Sequence, residues 1–124
     1  IYKDIYKIIK DISEKHQTVI LDCITLLVNN LMFTDGIDID NASEEEINEL
    51  EAYIQDQIKK LMEEVKKTDL YFVMVTNEIG LGVVPGYKLG RVYCDFVGRI
   101  NQMLGKLSDE VYFVVCGIPT KIKG

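Results

Sequence analysis

A three-layer α/β fold with a mostly parallel sheet is predicted by three features of the sequence. Three short apolar runs, Val19–Leu21, Leu70–Val75 and Val111–Val115, have the length and residue types of buried strands. Stretches with apolar residues at helical spacing separate them. Strands that alternate with helices in this way build a sheet covered by helical layers. With 124 residues and no internal repeat or low-complexity tract, the chain is read as a single domain, residues 1–124.

Apolar residues at Ile1, Ile5, Ile8, Ile9 and Ile12 predict an amphipathic helix up to Lys15. The first strand follows and is closed by Asp22; Ile24 to Phe33, apolar almost throughout, is expected to be a short buried helix. Thr34 to Ala42, with Gly36 and three aspartates, reads as a surface loop. Ser43 and Glu46 have the spacing of a capping box, in which each satisfies an unpaired N–H near the other, so a helix is expected to start there. Its apolar stripe runs Ile47, Leu50, Ile54, Ile58, Leu61, Met62 and Val65. After the second strand, Leu89, Val92, Tyr93, Phe96, Val97, Ile100, Met103, Leu104 and Leu107 mark a last helix before the third.

Composition excludes several classes. A net charge of −6 does not suit a nucleic-acid binder, which needs a basic stripe to displace counterions from phosphates, so an anionic substrate must be held by a local site. No apolar run reaches the length of a membrane span. Cys23, Cys94 and Cys116 are odd in number and lack metal-site spacing, which predicts reduced thiols in a cytoplasmic protein. Ile1 is not a methionine and already lies in a periodic pattern, so a preceding segment is expected.

Three familiar motifs fail. Gly82 to Lys88 has the wrong spacing for a phosphate-binding P-loop and sets Pro85 where backbone donors are needed. Asp38 to Glu49 has acidic ends, but Ala42 and Ser43 occupy a ligand position and the turn-glycine position of a calcium loop. His16 stands at the end of the first helix, where a cation suits the helix dipole, and is not read as catalytic.

What remains lies at the strand ends. Asp22 ends an apolar strand, where nucleotide-triphosphate enzymes place the acid that orients magnesium; the alternative is a cap for the helix at Ile24. Thr76 to Pro85 follows a strand directly, at the crevice where open α/β sheets bind ligands. In it Asn77 and Glu78 offer hydrogen bonds and Gly80 and Gly82 permit close backbone approach; a plain tight turn is the other reading. The last helix carries a polar stripe of Arg91, Asp95, Gly98 and Gln102, with Arg91 and Asp95 spaced for an ion pair. Gly98 costs about 0.8–1 kcal/mol in a helix relative to Ala, which predicts a close neighbour: substrate, helix or another subunit.

These segments together resemble one family. Val19-Ile20-Leu21-Asp22-Cys23-Ile24-Thr25-Leu26-Leu27-Val28-Asn29-Asn30-Leu31 and Val75-Thr76-Asn77-Glu78-Ile79-Gly80-Leu81-Gly82-Val83-Val84-Pro85 are similar, in order and spacing, to the adenosylcobinamide kinase/adenosylcobinamide-phosphate guanylyltransferase family. Gly90-Arg91-Val92-Tyr93-Cys94-Asp95, Gly98-Arg99-Ile100-Asn101-Gln102 and the closing Gly117 to Lys123 extend the resemblance to the end of the chain. It implies a RecA-like P-loop fold and two transferase reactions of cobalamin biosynthesis: phosphorylation of adenosylcobinamide with ATP or GTP, then GMP transfer from GTP through a guanylylated histidine.

The resemblance further implies magnesium as cofactor, adenosylcobinamide and nucleotide as ligands, and a homo-oligomer. It assigns Asp22 to magnesium or nucleotide orientation, and Asn77, Glu78, Gly80, Gly82, Arg91, Asp95, Asn101 and Gln102 to nucleotide or substrate contacts or an interface. This chain departs from the family pattern by lacking the P-loop strand and the helix with the nucleophilic histidine, and His16 is no substitute. A carboxyl-terminal part, truncated at the amino terminus and inactive alone, is therefore expected. Without its central strand it is expected to close the gap by rearrangement, swapping or self-association. The alternative is a non-catalytic module of the same fold for corrinoid binding or oligomerisation.

Overall fold

The computed structural model describes residues 3–83 and 85–124. Ile1 of the expected first helix and Val84 of the glycine-containing segment lie outside the described residues. The expected helix up to Lys15 is shorter and divided: a 3-10 turn at Ile5–Ile8 leads into α1 (Ile9–Ser13). Only Ile9 of the pair is fully buried, and the backbone N–H of Asp4 is tied to the buried Gln57 Oε1 at 3.1 Å.

β1 (Thr18–Asp22), α2 (Ile24–Phe33) and α3 (Glu44–Lys66) follow. The capping box at the start of α3 is present, with Ser43 accepting from the Glu46 N–H and the Glu46 side chain reaching back to the Ser43 N–H. β2 (Tyr71–Val75) and α4 (Lys88–Leu107) keep the expected order, and β3 (Val111–Val115) has the expected bounds.

β1 and β2 pair in parallel, with Ile20 opposite Val73 and Asp22 opposite Val75. Side-chain alternation turns Leu21, Phe72 and Met74 toward the helices, where they pack against the core. That core joins Ile24, Val28 and Leu31 of α2, Ile54 and Ile58 of α3, and Phe96, Val97 and Ile100 of α4. The opposite sheet face is bare: Ile20 is 66% exposed, Tyr71 65% and Val75 40%. The described residues thus form a mixed α/β structure in which helices cover one face of the parallel pair. The third layer of the expected fold is not among them.

The third strand also departs from expectation. β3 does not join β1 and β2; it pairs antiparallel with β4 (Ile118–Lys123), forming a second two-stranded sheet. Cys116 and Gly117, at φ 52° and 73°, make the two-residue link between Val115 and Ile118. Positive φ at both positions matches the twist of the flanking strands, so pairing closes locally. β4 escapes a pattern reading because Pro119, Lys121 and Lys123 interrupt its apolar residues. Lys123 Nζ donates to the carbonyls of Gly105 and Lys106 at 2.8 and 2.9 Å, which anchors the hairpin to the carboxyl end of α4.

No helix of this chain among the described residues crowds Gly98: a Cβ built there meets nothing within 4 Å. Gly98→Ala is therefore expected to stabilise the chain by about 0.5–1 kcal/mol, read as a higher urea midpoint; a lower midpoint contradicts the open space. Within α4 the crowded glycine is the buried Gly90, where a Cβ would lie 2.7 Å from Pro85 Cβ and 2.9 Å from the Tyr87 ring.

Candidate functional site

The carboxyl ends of β1 and β2 lie side by side because the strands are parallel and in register. Asp22 is the last residue of β1 and is exposed. Its capping alternative is not realised, since Cys23 holds the N-cap position of α2 and no side chain bonds to that end. Among the described residues the Asp22 carboxylate joins no ion pair, so it faces solvent with its charge unspent.

Thr25, only 5% exposed, is the centre of a hydrogen-bonded cluster beside it. Asn77 Nδ2 donates to Thr25 Oγ1 at 3.3 Å, and Cys23 Sγ lies 3.0 Å from the same oxygen. Tyr93 of α4 donates its hydroxyl to the Thr25 carbonyl at 3.2 Å. Two further bonds fasten the segment after β2 to α4: Thr76 Oγ1 donates to Asn101 Oδ1 at 2.7 Å, and Asn101 Nδ2 donates to the Asn77 carbonyl at 2.9 Å. Glu78 Oε1 accepts from the Gly80 N–H at 3.0 Å at the start of the short turn Ile79–Leu81. The segment 76–78 is thus a braced crest between α2 and α4.

Of the residues singled out in the sequence, Asp22, Asn77, Glu78 and Asn101 come to these strand ends. Asn101 spends both amide atoms on bracing. The N–H of Gly80 is likewise spent on Glu78, and that of Gly82 donates to the Ile79 carbonyl at 3.2 Å. Arg91, Asp95 and Gln102 are exposed on α4, and Arg91 forms no ion pair with Asp95. The arginine that does pair is Arg99, whose Nη2 donates to Glu51 Oε1 at 2.8 Å and links α4 to α3. That bond raises the Arg99 pKa above its usual value. Cys23, Thr25, Thr76 and Tyr93 were absent from the candidate set. Thr25 lies in a nearly continuous apolar run and Tyr93 in an apolar stripe, and only packing distinguishes them from core positions.

Burial pushes the Tyr93 hydroxyl pKa up, reinforced by the neighbouring Cys23 sulfur and opposed by the bond to Thr25. A folded-state pKa above the unfolded one means that the native chain holds this proton more tightly. The contribution to stability is complete below the unfolded tyrosine value, near pH 10, and is lost as pH rises through the folded value. Urea midpoints should therefore fall at alkaline pH less steeply in Tyr93→Phe than in the wild type; parallel curves contradict the assignment.

The crest displays acceptors and few cations. Arg99 is committed to Glu51, and Lys88 Nζ donates to the Ala42 carbonyl at 2.9 Å. Among the described residues no cluster of three or more His, Cys, Asp or Glu gathers as a metal cage. One free carboxylate nevertheless suits magnesium that arrives on phosphate, since that ion takes only one or two protein carboxylates and keeps its remaining ligands from phosphate and water.

A family model described as cobinamide kinase/cobinamide phosphate guanyltransferase matches residues 1–122. The chain belongs to this family. It is similar to the bifunctional adenosylcobalamin biosynthesis protein CobU of Escherichia coli, with 39% identity over 108 residues, 87% of this chain and 59% of that protein. Against CobU of Salmonella typhimurium the identity is 40% over 105 residues, 85% of the chain and 58% of the relative. CobP of Pseudomonas aeruginosa, also named a bifunctional adenosylcobalamin biosynthesis protein, is 29% identical over 112 residues, 90% of the chain and 57% of the relative. The chain spans 57–59% of the length of these relatives. No described helix is long and apolar enough to cross a membrane.

Proposed function

We propose that this chain is the carboxyl-terminal part of a cytoplasmic transferase that phosphorylates adenosylcobinamide with ATP or GTP and then transfers GMP from GTP, giving adenosylcobinamide-GDP. The observation that carries this reading is the family match across residues 1–122. The free carboxylate of Asp22 at the crest adds a group of the right chemistry at the right end of the sheet.

Magnesium bound with the nucleotide would neutralise phosphate charge, and Asp22 is the residue of this chain that would hold it. Asn77 and Glu78 receive hydrogen-bond donors of the ligand. The crest gathers few cations, so the phosphates are gripped by a segment outside this sequence, which also supplies the nucleophilic histidine. That segment contributes a strand that completes a RecA-like sheet and its third layer, and the complete protein is a homo-oligomer in which Arg91, Asp95 and Gln102 meet substrate or a neighbouring subunit.

The test is incubation with magnesium and GTP labelled at the α-phosphate. The full-length protein is expected to take up label covalently and this chain to remain unlabelled. Label on the isolated chain overturns the division of labour, and no label on either overturns the guanylyltransferase reading. Bare apolar faces on both small sheets favour a second reading for the chain alone, a non-catalytic corrinoid-binding or oligomerisation module. In isolation it is expected to self-associate or rearrange through them, and a monomeric mass by sedimentation together with the ordinary strand order would count against this.

A further inference from the structure

We propose that Thr25 is a positioning residue for the crest: it turns the Asn77 amide so that Oδ1, an acceptor, is presented to the ligand beside Asp22. The inference rests on the reading of the strand ends as the substrate crevice, and adds which end of Asn77 the ligand meets.

The argument is one of donors and acceptors. The Asn77 amide has two ends, and its Nδ2 is taken by Thr25 Oγ1 at 3.3 Å. The Asn77 backbone carbonyl is taken by Asn101 Nδ2 at 2.9 Å, which fixes the main chain from which the side chain projects. With the main chain held and Nδ2 turned inward, Oδ1 is the end left for a ligand. Thr25 can impose this because it is itself immobile: it is 5% exposed, its carbonyl accepts from Tyr93, and its hydroxyl also contacts Cys23 Sγ at 3.0 Å. Glu78, one residue on, uses Oε1 on Gly80 and keeps Oε2.

Asn77 Oδ1 and Glu78 Oε2 are then both acceptors. A ligand group meeting them must carry donors: hydroxyls, or N–H groups such as those on a nucleobase edge, rather than bare phosphate oxygens. A neutral hydrogen bond contributes about 0.5–1.5 kcal/mol, so losing the one that turns Asn77 should change the behaviour of this side chain by roughly two- to tenfold.

The experiment compares wild type with Thr25→Val, which keeps the shape and removes the hydroxyl, and Thr25→Ser, which keeps the hydroxyl. Solvent exchange of the Asn77 side-chain amide protons is measured by NMR in the full-length protein. Exchange about two- to tenfold faster in Thr25→Val and near wild type in Thr25→Ser is expected. Equal exchange in all three overturns the positioning role, as does equal acceleration in both variants, which would reflect lost packing.

In the full-length protein, Thr25→Val is expected to lower kcat/KM for the nucleotide by a similar factor, with Thr25→Ser restoring it. Wild-type catalysis that is absent while the exchange pattern holds refutes the proposed function and leaves the positioning role intact. Exchange that responds while kcat/KM does not refutes the ligand-facing role of Oδ1.

Discussion

Replacing Phe96 by Ala is expected to remove about 3–5 kcal/mol of stability, the cost of emptying a packed aromatic site that relaxes only in part. Phe96 is 1% exposed and belongs to the core shared by α2, α3 and α4. Domains of this size have roughly 5–15 kcal/mol in total, so the variant should be largely unfolded at modest urea concentrations. The bare outer face of β1 and β2 means that the parallel pair is held chiefly from the helical side. Loss of that core should therefore also release the crest, seen as faster exchange of the Thr76–Glu78 amides. A cost below about 1 kcal/mol would contradict a core centred on Phe96.

The largest effect on activity is expected from Asp22→Asn in the full-length protein. The substitution keeps the shape of an exposed side chain that joins no ion pair among the described residues, so stability should change by less than about 0.5 kcal/mol. Phosphoryl transfer should fall by about a hundredfold or more, the scale on which losing one charge-orienting group acts in a preorganised site. Excess magnesium should recover part of the rate if the loss is one of metal affinity. Unchanged turnover rules out the role given to Asp22.

Local chemistry made much of the architecture legible before any coordinates. The Ser43–Glu46 capping box fixed the start of α3, the run from Ile24 to Phe33 gave α2, and the three apolar strands occupy nearly their expected spans. What was not legible depends on partners distant in sequence. Nothing local tells Val111–Val115 to pair with a strand containing Pro119 rather than with β1, and nothing among the described residues covers Ile20 and Tyr71. Gly98 has no close neighbour among the described residues of this chain, and the crowded glycine of α4 is Gly90.

The cluster at the strand ends was half legible. Asp22, Asn77 and Glu78 stand at the carboxyl ends of β1 and β2, as polar residues directly after an apolar strand must. Asn101 was found for another role, and its amide braces Thr76 and Asn77. Thr25 and Tyr93 were hidden because an apolar pattern absorbs a single hydroxyl without a break. Arg91 and Asp95 have the spacing of an ion pair and do not form one, as exposed charges on a helix gain little by pairing.

The central claim is that this chain carries part of a site that acts on cobinamide with a nucleotide. Its most direct test is mass spectrometry of the corrinoid after the full-length protein is incubated with adenosylcobinamide, magnesium and GTP. Adenosylcobinamide phosphate followed by adenosylcobinamide-GDP is the predicted sequence of products, with Asp22→Asn blocking the first. A corrinoid that stays unmodified while the protein is folded and magnesium-GTP is present would contradict it.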